Sequence, residues 1–213
     1  MLRIIRTEDG SQSLFDEELN ETYHSTKGAQ SESEYVFLKM GLDTIKKGKK
    51  NLTILEVGFG TGLNAWLTWK WANENGIPVH FYTLEPFPVS QVLVNQMDLS
   101  SDSQFQAVHQ ADWGDTTKLG GFFTIEKSKW KLEEAEIIHE VDCIFFDAFA
   151  PSKQPEVWSL ENLQKCYNAL KSRGILTTYC AQGQFKRNLV AVGFEVEVLP
   201  GALGKKEMVR GRK

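Results

Sequence analysis

The chain has 213 residues, 41% hydrophobic and 24% charged, with a net charge of −4, the balance of a globular protein with room for one α/β domain. The negative balance argues against indiscriminate nucleic-acid binding. No apolar run reaches the ~18 residues of a membrane span, and the start, Met-Leu-Arg-Ile-Ile-Arg, lacks a signal peptide's apolar core, so a cytoplasmic location is expected.

Residues 3–25 read as a hairpin or extended arm within a polar first fifty. Ser31-Glu32-Ser33-Glu34 starts an amphipathic helix with Tyr35, Leu38, Leu42 and Ile45 at helical spacing, and Lys46 to Asn51 makes a basic turn. Residues 52–57 are a first core strand. Residues 62–75 are a helix with Leu63, Trp66, Leu67 and Trp69–Ala72 apolar, stopped by Gly76, and 79–84 a second strand ending at Glu85-Pro86. A helix near 88–98, a short strand at 105–109 and a polar turn, Ala111-Asp112-Trp113-Gly114, follow. Residues 117–140 read as a charged, helix-prone insertion. The apolar run Val141 to Phe146, closed by Asp147, has the pattern of a parallel strand buried on both faces. Helix 159–171, strand 174–180 and a last pair of strands, 194–199 and 206–210, complete an alternation that implies a parallel sheet with right-handed crossovers and a terminal antiparallel hairpin.

Cys143, Cys166 and Cys180 are scattered, and Cys143 reads as a buried thiol; His24, His80, His109 and His139 have no metal-ligand spacing, so no metal is expected. From Lys205 to Lys213 five basic residues accompany one acid, a tail suited either to phosphate contact or to plain solvation.

The densest signal is Ile54-Leu-Glu-Val-Gly-Phe-Gly-Thr-Gly-Leu-Asn64. Glycines at 58, 60 and 62 let a ligand approach bare backbone, or serve only for tight strand–helix packing. Leu63 stands where a dinucleotide fingerprint wants its third glycine. A pyrophosphate cradle avoids a fixed carboxylate, whereas Glu56 suits a ligand bearing an ammonium and hydroxyls, such as S-adenosylmethionine (SAM). Three acids fall at strand ends, where open α/β sheets bind ligands: Glu56, Glu85 and Asp147. Glu85, about 20 residues beyond Gly62, has the separation at which an acid receives ribose hydroxyls. Asp112, after the expected third strand, suits an acceptor for the adenine amino group, with Trp113 to pack on the ring.

The glycine motif resembles motif I of class I SAM-dependent methyltransferases. Asp147-Ala-Phe-Ala-Pro151, then Lys153, Pro155 and Trp158, is similar to the D-[GA]-F-A-P-x-K-x-P-x-x-W signature of the MnmC methyltransferase family. Glu21-Thr-Tyr23-His-Ser25, Glu34-Tyr-Val-Phe-Leu38, Gly58-Phe59-Gly60-Thr61-Gly62-Leu63-Asn64, Glu85-x-Phe87-Pro88 and Gly204-Lys205-Lys206-Glu-Met208 resemble its other blocks, along nearly the whole chain. The resemblance implies a Rossmann-like, mostly parallel seven-stranded sheet in one domain over 1–213, with an extension (1–50) before a SAM-binding core (51–213). It also implies a stand-alone methyltransferase without FAD, acting on the 5-aminomethyl group of wobble (2-thio)uridine in the tRNA anticodon stem-loop.

On that reading Glu56, Gly58, Phe59, Gly60, Gly62, Leu63, Asn64, Glu85, Asp112, Trp113 and Asp147 hold the cofactor. Asp147 orients the acceptor amine and takes its proton, or only positions it. Pro151 stiffens the substrate wall. Tyr23, Phe149 and Trp158 stack on the flipped-out base or belong to the core, and Glu34 is counted with the substrate side. Lys153, Lys205, Lys206 and Arg210 meet phosphates or only solvent. Two other readings keep the fold: a transferase acting on a small amine, as in aminopropyl transfer, and a non-catalytic RNA-binding module.

Overall fold

The computed structural model describes residues 1–137 and 140–213, so His139 lies outside the described residues. The N-terminal arm is a small antiparallel sheet of β1 (Leu2–Arg6), β2 (Gln12–Asp16) and β3 (Glu21–Thr22). Helix α1 (Ala29–Ser33) runs on through a π-helical stretch (Glu34–Leu42) into a last turn, α2 (Asp43–Ile45). The wider π turns lie where Gly41 passes close to Phe145 and Thr177, and Phe37 packs on Phe145 with ring centroids 5.0 Å apart.

Among the described residues the main sheet has eight strands in the order β10-β11-β9-β8-β4-β5-β7-β6. β4 (Leu52–Val57) pairs in parallel with β5 (Val79–Leu84) on one side and β8 (Val141–Phe146) on the other, so strand order reverses at β4. The carboxyl end of β4 is therefore the switch point at which such sheets bind ligands. All six residues of β8 are buried, the burial that its near-continuous apolar run anticipates, and the one charge, Asp142, is paired with Lys49 and Lys171. Helix α3 (Leu63–Asn75) covers one face and ends at Gly76, whose φ of 63° is the left-handed conformation of a helix stop. Its Trp66, Trp69 and Trp71 are buried, and Trp69 stacks on Phe123 at 5.7 Å. Burying each such ring contributes roughly 1.5–3 kcal/mol.

Four expectations along the chain are corrected. The helix near 88–98 is only α4 (Gln91–Val94), entered from Ser90 after two prolines, and a 3-10 turn at Asp98–Ser101. The strand expected at 105–109 is helix α5 (Ser103–Gln110): Asp102 caps it, accepting from the N–H groups of Gln104 and Phe105, and Phe105 and Val108 are buried at i, i+3. The helix-prone insertion at 117–140 is a hairpin in its first part, β6 (Thr116–Lys118) and β7 (Phe123–Ser128), turning at Gly120-Gly121. Phe123, Ile125 and Lys127 alternate inward, a period-2 pattern hidden by their polar neighbours. β7 is the parallel neighbour of β5, the place expected of 105–109, and β6 raises the expected seven strands to eight.

Helix α6 (Leu160–Ala169) stops two residues short of expectation, and β9 (Leu170–Thr178) starts at once. Helix α7 (Gly183–Ala191), absent from the sequence reading, buries Phe185 and Leu189 one turn apart. β10 (Glu195–Leu199) and β11 (Met208–Arg212) pair antiparallel, and β11 continues antiparallel onto β9. Cys143 is fully buried.

Candidate functional site

At the end of β4 the chain turns through three glycines with φ of +96° (Gly58), +51° (Gly60) and +72° (Gly62). A Cβ on Gly58 would stand 2.7 Å from the carbonyl oxygen of Asp147, and one on Gly62 would stand 2.8 Å from Nε2 of His109. The Asp147 backbone at Gly58, the His109 ring at Gly62 and the positive φ at both oppose a side chain there. His109 lies 3.0 Å from the Thr61 carbonyl, and burial pushes its pKa down to about 4, so the ring is neutral. It buttresses the loop from behind, against Phe59.

Four polar side chains converge around this loop. Glu56 is fully buried; Thr83 Oγ1 donates to its Oε2 at 2.6 Å, its Oε1 has no partner among the described residues, and desolvation raises its pKa to about 8. Asn64, in the first turn of α3, donates through Nδ2 to Oδ2 of Asp147 at 2.8 Å and leaves Oδ1 unpaired. Asp147, at the end of β8, is held by its own N–H on the Val57 carbonyl; burial first, and Glu56 with Glu32 behind it, hold its carboxyl well above the usual range. Glu85 accepts from the N–H groups of Gly60 and Phe87, each at 3.0 Å, and desolvation raises it too.

The loop floors a cleft of about 540 Å³, within the range of small-molecule sites. Asp147, Phe149 and Lys153 line one side and Glu85, Phe87 and Trp130 the other, and the N-terminal arm reaches in with Leu19 and Tyr23. Tyr23 and Phe149 meet edge to face at 4.9 Å, and Tyr23 lies 3.1 Å from where a Gly60 Cβ would be. Phe59 contributes to the lining while its buried ring packs behind the loop.

Other expected site residues stand elsewhere. Asp112 is exposed, and neither it nor Trp113 lines the cleft, because β7 occupies the strand position they were assigned to follow. Trp113 packs on Phe59 and under the buried Lys127, whose ammonium caps α5 through the carbonyls of Val108 and His109. The residues that follow β7 and reach the cleft are Trp130 and Leu132, which the sequence reading passed over. Leu63 is buried in a cluster with Trp66 and Phe105. Trp158 is core: it packs on Phe146 and Phe185, and its indole N–H holds the Phe149 carbonyl at 2.8 Å. Pro151 is half-buried and does not line the cleft.

Glu34 is exposed and bonded to Gln30; Glu32, two residues earlier, is the buried acid of that helix. The ammonium of Lys153 is taken by the carbonyls of Leu19 (2.8 Å) and Asn20 (3.5 Å), pinning the arm to the loop after β8. Lys205 is paired with Glu32, and Arg210 is buried against Glu197 and the Met40 carbonyl. Of the four cations assigned to phosphate, Lys206 is exposed. The basic tail is largely the last strand of the sheet, since pairing with β9 and β10 draws its side chains into internal contacts.

The geometry has counterparts in known proteins. Among curated relatives, the "tRNA 5-methylaminomethyl-2-thiouridine biosynthesis bifunctional protein MnmC" of Azoarcus sp. is 28% identical over 207 residues, covering 90% of this chain and 33% of its own. The same-named protein of Leptospira interrogans is 30% identical over 214 residues, covering 92% and 33%. The chain thus spans about a third of the length of these relatives. Among solved structures, MNMC2 from Aquifex aeolicus superposes with a TM-score of 0.83 at 23% identity, over 99% of this chain and 69% of that one. Spermidine synthase from Thermotoga maritima has a TM-score of 0.54 at 15% identity, over 100% and 69%. A family model described as S-adenosyl-L-methionine-dependent methyltransferase matches residues 96–213, more than half of the chain. The glycine turn at the switch point and that match together make the chain a member of the S-adenosyl-L-methionine-dependent methyltransferase family.

Proposed function

We propose that the protein methylates the 5-aminomethyl nitrogen of wobble (2-thio)uridine in the anticodon stem-loop of tRNA, in the cytoplasm, with SAM as methyl donor. The observation that carries the reading is Asp147: a carboxylate on the cleft wall, aimed by Asn64, beside a glycine loop too tight for any side chain. The MnmC relatives, named for tRNA 5-methylaminomethyl-2-thiouridine biosynthesis, support this choice of substrate.

The residues fit the cofactor. Two buried oxygens without partners, Glu56 Oε1 and Asn64 Oδ1, suit the ammonium of its methionine moiety. Glu85 suits the ribose hydroxyls, and the apolar wall of Pro86, Phe87, Trp130 and Leu132 suits the adenine ring. When bound, SAM supplies an activated methyl group to a nucleophile.

The chain's own contribution is to prepare that nucleophile. An alkyl amine is mostly ammonium near neutral pH and lacks a free lone pair. Asp147, with its pKa held high, is in its ionised form a stronger base than an ordinary carboxylate; that form takes the surplus proton and orients the nitrogen while doing so. Tyr23 and Phe149, the arm and the loop after β8, wall the acceptor from water and offer ring faces to an unstacked base.

The test is transfer of labelled methyl from SAM to tRNA carrying 5-aminomethyl-uridine. Label on that nucleoside is expected. Label on free polyamine or another small amine, with none on tRNA, overturns the assignment in favour of a small-amine transferase.

A further inference from the structure

Asn64 and Glu56 are not the only groups that act on Asp147. Glu32, Lys205 and Tyr179 also lie near enough to bear on its charge, and they come from three distant segments: α1, the loop before β11 and the end of β9. Contacts join them into one unit. The Lys205 ammonium bonds a Glu32 carboxylate oxygen and stands 5.3 Å over the Tyr179 ring centroid. The other Glu32 oxygen accepts from the Ser25 N–H at 3.1 Å, and the Tyr179 hydroxyl donates to the Ala148 carbonyl at 2.8 Å, one residue from Asp147. Asp9 pins the start of the unit, accepting from Ser31 N–H and Oγ at 3.0 and 2.7 Å beside Glu32.

Glu32 is only 7% exposed. Lys205 is more open, with 35% of its side chain exposed, and an ion pair with one partly solvated member adds little net stability. Stability alone therefore gives no reason for this pair beside a reactive carboxylate.

We propose that Glu32 and Lys205 are positioning residues for Asp147: with Tyr179 they hold the Asp147-Ala148 segment and balance the local field in which Asp147 meets the acceptor amine. The proposal rests on Asp147 being the group that receives the amine. The titratable groups facing Asp147 are Glu56 from β4, Glu32 from α1 and Lys205 from the loop before β11, with the neutral Tyr179 also in range of it. Lys205 favours the ionised carboxylate and Glu32 opposes it, so loss of Lys205 moves Asp147 up and loss of Glu32 moves it down, and a positioning role carries both shifts into the pH dependence of methyl transfer.

The experiment is a carboxyl carbon-13 NMR titration of Asp147 in the free protein, assigned by loss of the signal in Asp147→Asn. Lys205→Met is expected to move the midpoint up and Glu32→Gln to move it down, each on the order of one pH unit. The double variant returns it close to wild type, and Lys205→Arg restores it. The acid limb of kcat/KM for aminomethyl-uridine tRNA, at saturating SAM, moves in the same direction as the midpoint. Unmoved midpoints in both folded single variants, or movement in the same direction, overturn the proposal. Should Lys205→Met fail to fold, Glu32→Gln decides: no downward movement overturns it. The titration needs no turnover, so opposite shifts in a protein that transfers no methyl to tRNA support the pair's hold on Asp147 and sink the tRNA assignment instead.

Discussion

The side-chain amide of Asn64 donates to the carboxylate of Asp147 at 2.8 Å, tying the first turn of α3 to the end of β8 across 83 residues of chain. The bond leaves Asp147 one oxygen for an incoming amine and fixes where it points. Asp147→Asn is expected to lower kcat for methyl transfer by roughly 10²–10⁴, the usual worth of a general base, while calorimetry finds SAM affinity within about tenfold of wild type. Asn64→Ala should lower kcat by a smaller factor. A kcat unchanged in Asp147→Asn would remove the carboxylate from the chemistry.

Glu56 makes stability depend on pH. Its pKa is about 8 in the folded chain against an ordinary 4.5, so between those values the folded state keeps a proton that the unfolded state has lost. Stability contributed by the protonated group is full below about pH 4.5 and is lost as pH rises through 8, at up to ~1.4 kcal/mol per unit. Glu85 and Asp147, also raised, act in the same direction. Burial lowers His24 and His109 to about 4, so they push the other way up to about pH 6.5; urea unfolding between pH 7 and 8.5 should give a falling ΔG, flattened in Glu56→Gln. An equal slope in both proteins would contradict the buried, protonated Glu56.

The same protonation couples to the cofactor. An ammonium brought beside Glu56 favours its carboxylate, so binding at pH 7 should release a fraction of a proton. Calorimetric enthalpies of SAM binding in phosphate and in Tris should then differ for wild type and converge for Glu56→Gln. No buffer dependence in wild type would mean that the ligand's cation sits elsewhere.

Trp130, rather than the segment at 111–114, reaches the cleft. Trp130→Ala is expected to weaken SAM binding by about 1–3 kcal/mol, the range of base–aromatic stacking. Asp112→Asn, an exposed position, should leave affinity unchanged. The reverse order of effects in a fluorescence titration would restore the segment after α5 as the adenine seat.

Gly58 meets the Asp147 carbonyl with no room for a methyl group and at a φ of +96°. Gly58→Ala should destabilise the chain by about 1–3 kcal/mol and abolish methyl transfer. Thermal melting and the labelled-SAM assay check the two halves separately, and a variant of wild-type stability and activity would disprove the steric argument.

Elements with a local signature were legible in the chain. β4, β5 and β8 are mostly apolar, with only Thr53, Glu56, His80, Thr83 and Asp142 interrupting them, and α3 lies between two glycines, so strand burial and helix stops could be read position by position. The strand assigned to 105–109 was legible in principle as a capped helix, from Asp102 and the Phe105–Val108 spacing. β7 was harder, because its inward positions include Lys127, a cation buried only because α5 presents two carbonyl groups to it.

By itself the sequence determined the glycine turn, the acids that follow the central strands and the alternation of strands and helices, since each depends on neighbours along the chain. Which side chains share the cleft was decided by tertiary structure. Sheet pairing drew Arg210 inward, put β7 beside β5 and so brought Trp130 to the cleft while leaving Asp112 outside. It also set Glu32 and Lys205, 173 residues apart, against each other near Asp147. Spacing in sequence carries no record of such contacts, because they exist only once strand order and helix packing have closed the fold.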